Sequence, residues 1–200
     1  PDSLLNRWDS IPYVEFEPKI SGRFRWEHGD ELIFSPSGPL SPATTYKASI
    51  NNEVLAFTKY NKVSVDEPLE FHTPELKLEN SNITWVLDDA TNKAIPQVDL
   101  YFNYVVTPAA LKEKLKVKLD EQEKDYSVQT INNDRKVSIR LLNVKTEDRD
   151  YNTTVILDKG LVPDGGKNAT KEAIEEKFTI PSPYTLTVTN MEARHDGLSA

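Results

Sequence analysis

Short runs in which apolar and polar residues alternate recur along this chain about every eight to twelve residues, separated by Asn, Asp, Gly and Pro. A period of two sends one set of side chains to a buried face and the other to water, so each run predicts a half-buried strand. The alternation is clearest where Val98, Leu100 and Phe102 interleave with Asp99, Tyr101 and Asn103. Strands are predicted at residues 13–17, 22–27, 31–35, 45–51, 69–72, 76–79, 83–87, 97–104, 115–119, 127–130, 136–141, 152–157, 177–180 and 184–189. Many short strands divided by turn residues specify an all-β chain built from antiparallel β-sandwiches. Helix is confined to two short stretches. Thr107 and Pro108 open one over residues 108–115, where Ala, Leu, Lys and Glu follow, and residues 169–177 offer a second turn or two. His28-Gly29-Asp30 predicts a tight hairpin with a left-handed residue, and Asn132-Asn133-Asp134 predicts the same turn further on. Pro68, Pro74, Pro96, Pro108, Pro181 and Pro183 are expected at strand ends or junctions, where a missing N–H does least harm.

The pattern occurs twice, with an offset of about 105 residues, the size of one sandwich domain. Leu32-Ile33-Phe34 falls where Val137-Ser138-Ile139 falls, Tyr46–Ile50 where Tyr151–Val155 falls, and Phe71-His72-Thr73-Pro74 where Phe178-Thr179-Ile180-Pro181 falls. Two runs, 83–87 and 97–104, precede the second copy and have no counterpart before the first. The expected organisation is therefore a module at 1–75 that lacks its leading strands, a complete module at 76–183, and the opening strand of a further module at 184–200. The chain begins Pro1-Asp2-Ser3 without methionine, so it is expected to be a processed protein or a window of a longer array. A module without its leading strands leaves an unpaired sheet edge, and the 184–190 segment is expected to fill that gap in a neighbouring molecule.

Composition changes this picture in two respects. The formal charge is −8, with 24 basic and 32 acidic residues intermixed, which disfavours nucleic acid as a partner. With no cysteine, disulfides, zinc–thiolate sites and thiol catalysis within these residues are excluded. No apolar run is long enough to span a bilayer, and no signal-peptide pattern opens the chain, so direct membrane insertion is not expected.

Three elements in order, Gly22-Arg23-Phe24-Arg25-Trp26, Glu31-Leu32-Ile33-Phe34-Ser35-Pro36 and Leu40-Ser41-Pro42-Ala43-Thr44-Thr45-Tyr46, are similar to a bacterial Ig-like module with G-x-F-x-W, L-x-F-x-P and L-x-P-x-T-x-Y segments. The whole assembly resembles the N-terminal region of bacterial alpha-2-macroglobulin family proteins of the Bacteroides type. The resemblance implies tandem Ig-like or macroglobulin-like sandwiches in a large extracytoplasmic protein, periplasmic or anchored to the outer membrane of a Gram-negative bacterium, often as a lipoprotein. Such proteins act as broad-spectrum endopeptidase inhibitors that trap attacking proteases. The partners implied are neighbouring domains of a longer chain and, through the full-length protein, target proteases. A C-x-E-Q thioester cannot form here for want of cysteine, and the modules would serve as non-catalytic scaffold. The alternative is a modular cell-surface adhesin or stalk; a less favoured third reading is a carbohydrate-binding accessory module.

Candidate chemistry adds little to this. His28, His72 and His195 lie in a hairpin, a strand and a tail, and no G-x-S-x-G elbow supplies a nucleophile for them. The carboxylates at Asp88-Asp89, Glu147-Asp148-Arg149-Asp150 and Asp164 lack the D-x-D-x-D-G spacing of a calcium loop. Val162-Pro163-Asp164-Gly165-Gly166-Lys167 lacks the spacing of a phosphate loop and reads as a connection between strands. Of the tryptophans, Trp26 shares a face with Phe24 and is expected in a core. Trp8 is the best candidate for a contact between modules. No catalytic, cofactor-binding or metal-ligating residue is assigned, and no enzymatic activity or cofactor is expected.

Overall fold

The computed structural model describes residues 5–56, 58–67, 69–185, 188 and 191–192. Strand makes up 48% of it and helix 6%, in several antiparallel sheets, so the chain is an all-β protein of sandwich type. The first half holds β1 (Trp8–Asp9), β2 (Val14–Glu17), β3 (Gly22–His28), β4 (Glu31–Pro36), β5 (Thr45–Ile50) and β6 (Leu69–His72). These form two three-stranded sheets, β1-β3-β4 and β2-β5-β6. Phe16 of β2 meets Phe34 of β4 at 4.7 Å between ring centroids, and fully buried Tyr13 meets Phe24 and Trp26 edge-on at 5.7 Å each. Aromatic rings thus fill the space between the two sheets.

The second half holds β7 (Leu78–Asp88), β8 (Lys93–Val106), a short helix α1 (Pro108–Lys114), β9 (Leu115–Leu119), β10 (Gln122–Glu123), β11 (Tyr126–Val128), β12 (Asp134–Leu141), β13 (Tyr151–Leu157) and β14 (Ile174–Ile180). Its sheets run β11-β12-β8-β7 and β10-β9-β13-β14. The alternation read at 98–103 is realised: Val98, Leu100 and Phe102 are almost wholly buried, together with Val117, Val137, Ile139, Leu141, Val155 and Ile180. Among the described residues no sheet mixes strands from before and after Pro74.

The two halves share a strand order. β9-β13-β14 repeats β2-β5-β6, and β11-β12 repeats β3-β4. The repeat needs one correction, because β5 pairs Tyr46 with Phe71 while β13 pairs Tyr151 with Ile180. Ile180, and not Phe178, is therefore the counterpart of Phe71, and Ser182 is the counterpart of Thr73. β12 has neighbours on both sides, β11 and β8, whereas β4 has only β3 among the described residues.

Other expectations are also corrected. Residues 169–177 form bends and then β14, because seven backbone pairings with β13 outweigh the helical tendency of Lys171–Lys177. The predicted strands 76–79 and 83–87 are one strand, since Asn80, Ser81 and Asn82 pair with Tyr101, Leu100 and Asp99 rather than turning. Pro96 lies inside β8, not at its end. Pairing of β8 with β12 stops at Gln97, so the missing N–H of Pro96 falls where one side of β8 is already free. Among the described residues neither predicted hairpin uses a left-handed residue at 28–30 or 132–134. Positive φ is found instead at Asn92, in the β7–β8 turn, and at Asp120 and Glu121 between β9 and β10. The predicted strand 184–189 falls partly on residues 186, 187 and 189, outside the described residues.

A short ion pair links β8 to β12. Asp99 on β8 is nearly buried and lies 2.8 Å from the Lys136 ammonium on β12. Burial alone would raise its carboxyl, but Lys136, Ser138 and Gln97 together hold it below the ordinary 3.8. A lowered folded-state pKa adds stability that is complete above the ordinary value and disappears as pH falls through the lower one. Thermal unfolding followed from pH 7 to pH 2 should lose stability most steeply below about pH 4, and Asp99→Asn should flatten part of that fall. At pH 7, Lys136→Met should cost about 1–2 kcal/mol, because it leaves a largely buried carboxylate without its cation.

Candidate functional site: the joint between the sandwiches

Each half ends in the same small device. The loop before β5 folds back so that the Tyr46 hydroxyl accepts the Ser41 N–H at 2.9 Å. The loop before β13 does likewise: the Tyr151 hydroxyl accepts the Glu147 N–H at 2.8 Å and donates to the Lys145 carbonyl at 2.6 Å. A tyrosine reaching back to upstream backbone in this way is a recurrent sandwich corner. A hydroxyl after the last strand closes the device. Thr73 Oγ1 donates to the Ser41 carbonyl at 2.8 Å and accepts the Thr44 N–H at 2.9 Å. Ser182 works through carboxylates instead, its N–H donating to Asp150 and its Oγ to Asp148, both at 2.8 Å. The acids of 147–150 that drew attention as a cluster are thus engaged in closing a loop, with Arg149 between Asp120 at 2.7 Å and Glu147 at 2.8 Å.

In the first half this corner is also where the second half docks. Residues 161–170, which join β13 to β14, lie across Pro42–Thr45. The Ala43 carbonyl accepts the N–H of Asn168 at 2.6 Å and of Lys167 at 3.3 Å. The Asn168 side chain donates to Thr45 Oγ1 at 2.8 Å. A Cβ on Gly166 would stand 2.7 Å from Pro163 Cγ and 2.8 Å from the Pro42 carbonyl, so only glycine fits there. Ala43, buried at the contact, holds φ at +40°, a left-handed conformation that costs a non-glycine residue about 1 kcal/mol.

The passage between the halves is held as well. Thr73 is bound to the first, as above. Leu76 is buried in the second core, the Asn103 side chain donates to the Glu75 carbonyl at 2.9 Å and accepts the Lys77 N–H at 2.8 Å, and Lys171 pairs with Glu75 at 2.6 Å. Three consecutive residues after Pro74 are therefore fixed to the second sandwich, and the passage does not behave as a free linker.

The remaining candidates are dispersed. His28 is exposed and stands 4.0 Å from Glu31, and exposed His72 contacts the Thr73 carbonyl; His195 lies outside the described residues. Asp88 caps its own turn through Thr91, and Asp164 accepts from Asn133. Among the described residues no three such groups converge as a metal site would require. Trp8, expected at a contact between modules, instead lies on the outer face of β3, with Arg25 5.0 Å and Arg23 6.0 Å over its ring. Trp85 donates to the Pro181 carbonyl at 2.7 Å and packs against Tyr151. The sequence does not show the joint, because the 162–167 loop carries no recognisable motif; its one signal is the Gly165-Gly166 pair, of which Gly165 has φ +71°.

The chain matches no protein-family model, and no curated protein matches it significantly.

Two outcomes check the joint. Gly166→Ala should cost about 2 kcal/mol by forcing the docked loop away from Pro42, and urea denaturation should then show two separated transitions in place of one. Tyr151→Phe, which strips a bridging hydroxyl from two backbone groups, should cost about 1–2 kcal/mol, more than Tyr46→Phe, which removes a single bond.

Proposed function

We propose that this chain is a non-catalytic scaffold of an alpha-2-macroglobulin-like protein of the bacterial cell envelope, contributing stiff coupled modules to a protease-trapping assembly. The resemblance of Gly22–Tyr46 to the Ig-like modules of that family motivates the reading. The observation that carries it is the joint: a docked loop, a bound passage and a strained buried Ala43 hold two like-ordered sandwiches together. In a trap, such modules keep a distant cleavable segment and its closing domains in a metastable arrangement, so that cutting releases strain as movement. The partners are then the adjoining domains, with proteases engaged by the protein as a whole.

An adhesin stalk would make the same use of a stiff joint, and a functional assay separates the two. The protein expressed from its complete reading frame is incubated with an endopeptidase, and residual activity is followed on a short chromogenic peptide and on a large protein substrate. Trapping predicts that the peptide is still cleaved while the protein substrate is spared, and that Gly166→Ala weakens this protection severalfold. Equal cleavage of both substrates, at any ratio of protein to protease, rules out the trapping role and leaves the stalk.

A further inference from the structure

Among the described residues the second sandwich has four edge strands, β11, β7, β10 and β14. Three of them are guarded. β11 and β10 are three and two residues long, and β14 carries Glu175, Glu176 and Lys177. β7 is different. From Asn80 to Leu87 it runs uncharged and without proline, and its register with β8 does not shift after Asn80. The ladder fixes which of its backbone groups are free. The Ser138 carbonyl accepts the Gln129 N–H on the β11 side, so Val137 and Ile139 turn their groups towards β8. Their partners Leu100 and Val98 therefore bond to β12, which leaves Gln97, Asp99 and Tyr101 to bond Thr84, Asn82 and Asn80 of β7. The N–H and carbonyl groups of Ser81, Ile83, Trp85 and Leu87 point away from the sheet, and among the described residues they have no hydrogen-bond partner.

This edge is complementary to itself about Thr84. Laid antiparallel on a second copy, with a twofold axis at that residue, β7 sets Thr84 against Thr84, Ile83 against Trp85 and Asn82 against Val86. Further out, Ser81 meets Leu87 and Asn80 meets Asp88. The free groups of Ser81 and Ile83 then face those of Leu87 and Trp85, as a bonded ladder requires. No like charges are opposed, and on the core-facing side an isoleucine lies beside an indole. Leu87, 64% exposed in the single chain, gains cover. We propose that the chain forms a twofold dimer by pairing β7 with β7, joining two four-stranded sheets into one continuous sheet. Each copy spends its one long unguarded edge on the other, so assembly stops at two. The contact lies wholly within the second sandwich and does not depend on the trapping role.

Light scattering coupled to gel filtration tests this on the full chain at about 50 μM, where a dimer that dissociates on dilution is expected. Thr84→Lys alters an exposed side chain on the wet face and, through the twofold, sets two ammonium groups against each other. It should raise the dimer dissociation constant at least tenfold and leave the circular dichroism spectrum unchanged. Single thiols then read the register, since the chain has no cysteine of its own. On mild oxidation Thr84→Cys should give a covalent dimer. Asn82→Cys should not, because its two thiols would stand four residues apart along the ladder, about 13 Å, beyond the reach of a disulfide. A chain that stays monomeric at about 50 μM, a dimer that Thr84→Lys leaves intact, or equal cross-linking by the two thiol variants overturns the proposal.

Discussion

A strand in the interior of a sheet must satisfy its backbone on both edges and its side chains on at least one face, and β8 is where this chain meets that demand in full. It pairs with β7 along one edge and β12 along the other, and carries Val98, Leu100, Phe102 and Val106 into the core. Its outward face contributes Asp99, held by Lys136. Among the described residues of the first half no strand pairs with the second edge of β4, and Phe34 and Phe71 are less buried than Ile139 and Ile180. The core of that half relies on large rings around Tyr13 rather than on layered aliphatic side chains.

The corner built from Tyr46 and Thr73 explains why the joint sits where it does. By fixing the loop from Ser41 to Thr44, the two hydroxyls hold the Ala43 carbonyl outward, ready for the two N–H groups it receives. The same corner recurs around Tyr151 and Ser182 at the far end of the second half, with carboxylates in place of backbone groups. A module of this kind thus carries a preformed seat at one end and, in the β13–β14 connection, a loop shaped to occupy one. Repetition of that relation makes a stiff array, whatever work the array performs.

Strand positions are legible where apolar and polar residues alternate, as along 98–103, where Val98, Leu100 and Phe102 form the buried set. Legibility failed where tertiary pairing overrode local preference. Lys171–Lys177 has helix-forming composition but is drawn into β14 by β13, and Asn80-Ser81-Asn82 has turn composition but continues β7. The two-residue slip at Phe71 could not be seen either, since composition alone cannot choose between Phe178 and Ile180; the ladder register can. Of the joint, the Leu40–Tyr46 segment stood out as a motif, but its partner loop did not. Docking there depends on the space left by an absent Cβ and on a carbonyl direction, and neither is written in residue type.

A joint of this kind requires the two sandwiches to behave as one stiff body. The chain has no cysteine, so spin labels can be placed freely at exposed positions of the two halves, Lys47→Cys on β5 and Glu176→Cys on β14. Double electron–electron resonance, with labelled protein diluted into unlabelled so that each pair reports within one chain, measures the separation directly. A single narrow distance distribution is predicted. A broad distribution, of the kind two domains swinging about Pro74 would give, would contradict it.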